Sequence, residues 1–408
     1  MNKQLLQDYA RLIATSGANV QKGEIVWINA QLDQPEFVAM VVEECYKLGA
    51  KSVEVRWTYE PLLKHHVKYQ TVATLGSVNS MMTARYKYMV KNTPIQIHII
   101  SEDPDALKGV NQAKRAKSRM KSYPKIKKYL DLLEGKYKWV IAAVPGKPWA
   151  KKVFPDLTED EAVEKLWEAI LLTSRVDGND PVENWKKHND FIKTQSAKLN
   201  ALDLRKLKYS AQNGTNFEVE LIPGAIWAGG AEQAKGKSQY HPNIPSEEVF
   251  TCPYAGKAEG TVVASKPLSY NGEVIDGFSI TFKEGKVVSV KAEKNQSLLE
   301  KMVNMDEGAA MLGEVALVPY SSPIRQSGIL FYNTLFDENA VCHLALGRGF
   351  IECVPNGLEL TPEEAKKQGL NDSMIHVDFM IGTADLSILG YDKDGKEYQI
   401  FKDGEWAI

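Results

Sequence analysis

The chain has 408 residues, 44% hydrophobic and 25% charged, proportions that exclude a disordered tail, a fibrous repeat and a membrane-embedded protein. No apolar run approaches the ~18–20 residues of a spanning helix, and the first residues lack the apolar stretch of a signal peptide, so a cytoplasmic protein without membrane contact is expected. The net charge of 50 − 52 = −2 hides an asymmetry, because residues 1–200 carry 31 basic and 23 acidic side chains (+8) and residues 201–408 carry 19 and 29 (−10).

In chain order, residues 4–14 read as an amphipathic helix and Glu24–Ile28 as a strand. Pro35–Leu48 reads as a helix with proline at its first position and Gly49 past its end. Ser52–Trp57 is the next strand. Helical stretches near 72–91 and 109–133 alternate with strands at Ile95–Ile100 and Trp139–Val144, the pattern of a parallel sheet in an α/β domain. Thr158-x-x-Glu161 is a capping box that opens a further helix. A polar helix over Val182–Leu202 leads into the second half, where the grammar changes. Asn213-Gly214, between Leu207–Ala211 and Phe217–Leu221, and Glu284-Gly285, between Ile275–Phe282 and Val287–Lys291, are hairpin signals. Helices are expected near 295–304, 338–346 and 361–368, the last opened by Thr361-Pro362-Glu363-Glu364. The fold class is therefore an α/β domain over residues 1–202 followed by an α+β domain over 203–408 with a mainly antiparallel sheet.

Several signals are weaker than they look. Gly230…Gly236-Lys237-Ser238 nearly spells a phosphate-binding loop, but five residues separate the glycines instead of four, and Pro242 interrupts the helix such a loop must open. Nine basic residues and no acidic one lie between Lys108 and Lys128. Without a nucleic-acid motif this stretch reads as the solvated side of a surface helix. His65-His66 are adjacent and diverge in direction, so they read as surface residues. The four cysteines (Cys45, Cys252, Cys342, Cys353) show no C-x-x-C spacing, which argues against a zinc knuckle, a redox pair or a disulfide framework.

The chemistry lies in the acidic half. On a strand Ser373–Ile381, one face carries Ile375, Val377, Phe379 and Ile381, while His376 and Asp378 share the other. Burying them requires a mutual hydrogen bond or a metal, and this strand alone does not choose. Glu314 is the single charge on the apolar strand Gly313–Pro319 and needs a cation, either a metal or an arginine such as Arg325. Glu247 and Glu248 are adjacent, so on an extended segment only one faces inward. His343 on a helix would share a face with Asn339 and Leu346, with Glu338 pointing elsewhere. Histidine and carboxylate donors without thiolates suit zinc, cobalt or manganese, and two ions sharing a carboxylate would match the two-metal hydrolases.

The strings Asn243–Thr251, Glu259–Val262, Gly313–Pro319, Asn333–Ala340, Cys342–Gly347 and Ser373–Gly382, with the opening Tyr-Ala-x-Leu…Gly-x-Asn-Val-Gln-x-Gly (9–23), resemble the thermophilic-type metalloaminopeptidases, the aminopeptidase T and aminopeptidase S family. The resemblance covers nearly the whole chain. It implies a homodimeric aminopeptidase acting on peptides with a free N-terminus, with two divalent ions (zinc, cobalt or manganese, with magnesium as a further option) in the second domain. Carried over by motif, the ligands are Glu248, Glu314, His343, His376 and Asp378, with Glu248 or Glu314 as proton acceptor. Nucleic-acid and membrane partners are not expected. One departure stands out: the family often places a tyrosine two helical turns after the ligand histidine, and here that position is Phe350. The competing readings are another metallohydrolase on the same ligands, such as a deacylase, and a non-catalytic binding protein that retains the fold.

Overall fold

The computed structural model describes residues Met1–Ile408 and divides into two units, Met1–Lys186 with Ala231–Ile244, and Lys187–Gly230 with Pro245–Ile408. The division is not contiguous in sequence. The chain leaves the first unit within the helix Pro181–Leu202, and residues 231–244 return to it.

In the first unit the β-branched runs form one parallel sheet. Its strands lie in the order Ser52–Thr58, Ile25–Gln31, Ile95–Ile100, Trp139–Ala143 and Asn243–Ile244. Val26, Ile28, Ile97, Ile99, Val140 and Ala142 are buried there, as expected for a parallel sheet. The helix Pro35–Lys47 has proline in its first turn, and Thr158 and Glu161 form the expected reciprocal cap of Glu159–Thr173. The stretch 72–91 holds two helices, Val72–Leu75 and Ser80–Asn92. Gly76 ends the first, and the Asn79 side chain accepts the Met82 N–H to start the second. The basic stretch lies largely on the helix Gln112–Leu133, which buries only Ser118 and Leu133 and so presents its lysines to solvent. In place of a phosphate loop, Glu232–Gln233 and Gln239–Tyr240 pair as a short antiparallel hairpin.

The second unit holds two antiparallel sheets. The larger runs in the order Leu268–Tyr270, Glu273–Lys283, Pro253–Val263, Asn216–Leu221, Leu204–Ser210, Ser387–Asp392, Glu397–Lys402 and Glu405–Trp406, with Lys286–Lys294 also paired to Glu273–Lys283. Both predicted hairpins are present. At the second, Glu284 and Gly285 take φ of 50° and 72°, the doubly left-handed turn that favours glycine at its second position. A Cβ on Gly285 would also come within 2.1 Å of Gly256 Cα.

The smaller sheet has four strands, in the order Val249–Thr251, Leu312–Leu317, His343–Gly347 and His376–Met380. The helix expected over 338–346 is not formed. A short 3-10 turn, Glu338–Ala340, precedes the strand His343–Gly347. The reason lies in the alternation, because Leu344 and Leu346 point one way and His343 and Ala345 the other, a period of two that a short apolar run conceals. Val249, Val315, Leu317, Leu344, Leu346, Val377 and Phe379 share one core with Leu207, Phe217 and Ile280 of the larger sheet. Each such side chain, once fully buried, contributes roughly 1.5–3 kcal/mol. One face of the small sheet is thus fixed by the core, and whatever alternates with it must stand on the other.

Candidate metal centre

The register carries that argument to individual residues. Glu314 lies opposite Ala345, and Ala345 opposite Asp378; Phe250 lies opposite Ala316, Ala316 opposite His343, and Gly347 opposite His376. Directly opposed residues share a face, so Glu314, His343, His376 and Asp378 all stand on the face turned from the core. Glu248 reaches it from just before the strand Val249–Thr251. The residues between them are small (Ala316, Ala345, Gly347), which leaves space above the sheet among the acidic and imidazole groups.

The side chains converge in two groups. In one, Glu248, Glu314 and His343 bring their ligand atoms within 4.8 Å of one another; in the other, Glu314, His376 and Asp378 do the same. Glu314 belongs to both. His343 Nε2 lies 3.1 Å from Glu248 Oε2, and His376 Nε2 lies 3.1 Å from both Glu314 Oε2 and Asp378 Oδ1. All are buried except His376, which is partly exposed.

The hydrogen bonds behind the imidazoles set their tautomers. His376 Nδ1 lies 2.6 Å from the carbonyl oxygen of Arg348, and His343 Nδ1 lies 3.4 Å from that of Val341. A carbonyl only accepts, so in each case Nδ1–H donates. In the neutral ring this leaves Nε2 as a lone pair aimed at carboxylate oxygens. Lone pairs facing one another require a cation between them, either a proton or a metal ion, and an imidazole steadied from behind by a carbonyl is the usual way a protein presents a metal ligand. Asp378 Oδ1 is sealed from solvent and receives no hydrogen bond, a second sign that the donor set fits a divalent ion.

The ionisation of these groups records the same demand. Burial alone would lower the His343 pKa, but the Glu248 hydrogen bond and charge, with Glu314 and Asp378, push it up to about 9. His376 is likewise held well above an ordinary histidine despite its burial, by Asp378 and Glu314. Burial pushes the Glu314 carboxyl up to about 7 against the His376 hydrogen bond. For Asp378 burial acts upward too, but His376 outweighs it and draws the pKa down to about 2. Protons on the imidazoles thus stand in for missing positive charge.

Three expectations need correction. Arg325 is not the partner of Glu314, since its guanidinium stacks on Tyr320 and bonds that residue's hydroxyl, at 2.5 Å, while His376 faces Glu314. His343 shares no helical face with Asn339 and Leu346. Glu338 does not point elsewhere: it lies close enough to Asp378, Glu248 and Glu314 that burial together with their charges raises its pKa well above the usual range. The inversion follows from the missing helix, because a single turn before a strand reverses the direction a continuous helix would give. The Phe350 ring packs 4.8 Å from the His376 ring and 5.3 Å from that of Phe250, so a ring without a hydroxyl borders the centre.

Comparison with known proteins agrees with this geometry. The sequence profile of the thermophilic metalloprotease family (M29) matches residues 2–406. The chain belongs to the M29 family. It is 41% identical to aminopeptidase 2 of Geobacillus stearothermophilus over 99% of this chain and 98% of that one. It is 34% identical to aminopeptidase T of Thermus thermophilus over 100% and 99%. The structure of wild-type AmpT from Thermus thermophilus superposes with a TM-score of 0.90 over the whole of both chains, at 33% identity. A 2,5-dihydroxypyridine dioxygenase from Pseudomonas putida KT2440 reaches a TM-score of 0.52 at 12% identity, a likeness of fold alone. Within the M29 chain the chemistry must therefore be argued from the donor set and not from the architecture.

Proposed function

We propose that this M29 protein is a two-metal aminopeptidase that removes residues from peptides with a free amino terminus. The observation that carries the reading is the pair of Nε2 lone pairs, each steadied by a backbone carbonyl and aimed at carboxylates that Glu314 links into one centre. Glu248, Glu314 and His343 would hold one ion, and Glu314, His376 and Asp378 the other. Zinc, cobalt and manganese suit these donors, and magnesium is a further candidate. Bound divalent ions supply Lewis acidity, polarising a scissile carbonyl and acidifying water.

The protein's own groups do the rest. Arg348 and Val341 carbonyls hold the imidazoles in register. One of the ligand carboxylates, Glu248 or Glu314, would accept the proton of the attacking water. Catalysis is assigned to residues 203–408, and substrate admission and the homodimer contact to residues 1–202. The homodimer and a cytoplasmic address rest on the sequence resemblance and on the sequence reading.

The test is metal analysis of the purified protein coupled to an assay with aminoacyl-anilides and matched N-acylated amides. Up to two ions per chain are expected, with activity abolished by a chelator, restored by zinc, cobalt or manganese, and confined to substrates with a free amine. Full activity after verified metal removal overturns the metal reading, and preference for the N-acylated amides favours a deacylase.

A further inference from the structure

We infer that the first unit carries a ligand site of its own, a cleft at the carboxyl ends of its parallel strands that takes an aliphatic amine with ammonium groups set along an apolar chain. The cleft is lined entirely by residues of that unit and depends neither on the metal centre nor on the peptidase reading.

A cavity of about 750 Å³ opens beyond the strands Ile25–Gln31, Ser52–Thr58, Ile95–Ile100 and Trp139–Ala143, and the segment after each strand contributes to its wall, with Asp33, Glu60, Asp103 and Pro145 respectively. Ile25–Gln31 has Ser52–Thr58 on one side and Ile95–Ile100 on the other, so the strand order reverses at Ile25–Gln31. Right-handed crossovers send the chain to opposite faces of the sheet at such a point. The crevice left there is where open parallel sheets bind ligands, and this volume suits a small molecule. Three of the connections are tied together. The Ser101 hydroxyl donates to the Asp33 carboxylate at 2.5 Å, and the Gln34 amide donates to the Pro145 carbonyl at 3.0 Å. A Cβ on Gly146 would lie 2.7 Å from the Ser101 carbonyl oxygen and 3.3 Å from Asp33 Cγ, so a glycine is what lets them meet.

Charge sets the class of ligand. Residues 1–200 carry 31 basic and 23 acidic side chains, yet the cleft is acidic. On one wall Glu159 and Asp160 lie 3.4 and 3.7 Å from Lys147 Nζ, and Glu164 pairs with the amino group of Met1. Asp33, Glu60 and Asp103 have no such partner. Asp33 meets the Ser101 hydroxyl, Glu60 accepts the Asp103 N–H at 3.0 Å, and Asp103 accepts the Asp105 N–H at 2.9 Å. Burial, opposed by the Asp103 N–H and reinforced by the charges of Glu102, Asp103 and Asp33, pushes the Glu60 carboxyl up to about 7. A cation brought beside it relieves that crowding.

A metal ion does not suit these groups. No three donors here bring ligand atoms within 4.8 Å of one another, as those of the second unit do. Carboxylates set apart match ammonium groups set apart on a chain. Tyr59, Pro61, Pro148, Val163 and Trp167 supply apolar wall for the methylenes between, and aromatic faces also favour cations. Trp167 is steadied by the Phe37 ring, 5.3 Å away.

A free polyamine and the lysine side chains of a peptide share this chemistry, and two probes tell them apart. Calorimetry at low salt on the metal-loaded protein would compare spermidine, N-acetyl-Lys-Lys-amide and 1,8-octanediol, a neutral chain. Wild type is expected to bind one amine per chain, with the diol about tenfold weaker or worse. Tighter binding of spermidine assigns a free polyamine, and tighter binding of the dipeptide assigns peptide lysines. Asp33→Asn combined with Glu60→Gln should weaken the better amine about tenfold or more. Lys64→Gln should strengthen it about twofold to threefold, because Lys64 is an exposed cation of the same wall whose repulsion is only partly screened at low salt. This last variant alters no packed side chain, so it reads the charge even where the double variant folds poorly. Both shifts are required. Wild-type affinity in the double variant overturns the inference, and so does unchanged or weaker binding in Lys64→Gln. Wild type that binds neither amine, or binds the diol as tightly, overturns it as well.

Discussion

Glu247 and Glu248 are neighbours in the chain and serve opposite sides of it. Glu248 Oε2 lies 3.1 Å from His343 Nε2, whereas Glu247 Oε2 lies 3.8 Å from His188 Nε2, and that imidazole also contacts the Ser246 carbonyl at 2.7 Å. Both carboxylates are buried, so burial does not distinguish them; direction does. An extended backbone sends consecutive side chains to opposite faces.

The two conservative amides should therefore behave differently. Glu248→Gln removes a donor and a charge from the centre, and bound metal and turnover should both collapse. Glu247→Gln should leave metal content near wild type and lower stability by about 1–3 kcal/mol through its buried polar contacts. Metal analysis and melting curves on the two proteins decide the matter. Equal metal loss from both would mean that Glu247 also serves the centre.

Sequence patterning carried much of this site, and the gaps have physical causes. His376 and Asp378 were legible because a strand with one wholly apolar face forces its polar residues together. Glu314 was legible as a charge in an apolar run, although its partner was not, because pairing across strands is a matter of register and not of sequence distance. His343 was misplaced on a helix, since Cys342–Gly347 is too short for its period to be read securely. That error also turned Glu338 away. The Arg348 and Val341 carbonyls were invisible, because a backbone oxygen leaves no residue type to read. The fold followed the same line: capping boxes and hairpin turns were local and readable, while the return of residues 231–244 to the first unit depends on long-range pairing of Asn243–Ile244 with Trp139–Ala143.

Chelated protein should lose stability as pH rises. His343, held up to about 9 in the fold against about 6.5 when unfolded, contributes stability that is full below the unfolded value and lost as pH passes the folded one. Glu314, raised to about 7, adds loss in the same direction from about 4.3 upward. Asp378 acts oppositely, but only as pH falls toward about 2. Metal binding needs the deprotonated imidazoles, so the stabilisation that metal provides should grow over the interval in which the apo protein weakens. Melting temperatures with and without zinc, taken at intervals from about pH 6 to about pH 9, should diverge. Parallel curves would show that the imidazole protons do not occupy the places the ions take.

Ala345 offers a test that removes no donor at all. It is fully buried, and the register sets it between Glu314 and Asp378 on the face turned from the core. Its methyl group is short enough to leave the space above it to the converging side chains. Ala345→Val would project two further methyl groups into that space while every carboxylate and imidazole stays in the chain. Valine favours strands, so the backbone should tolerate it, with an overpacking penalty of about 1–3 kcal/mol. Bound metal should fall sharply in a protein that still folds, as judged by circular dichroism and melting. Ala345→Ser, nearly the size of alanine, should retain metal and serves as the control. If the valine variant binds metal as wild type does, ions cannot sit over this part of the sheet, and the assignment of Glu314 as the carboxylate linking the two groups falls with it.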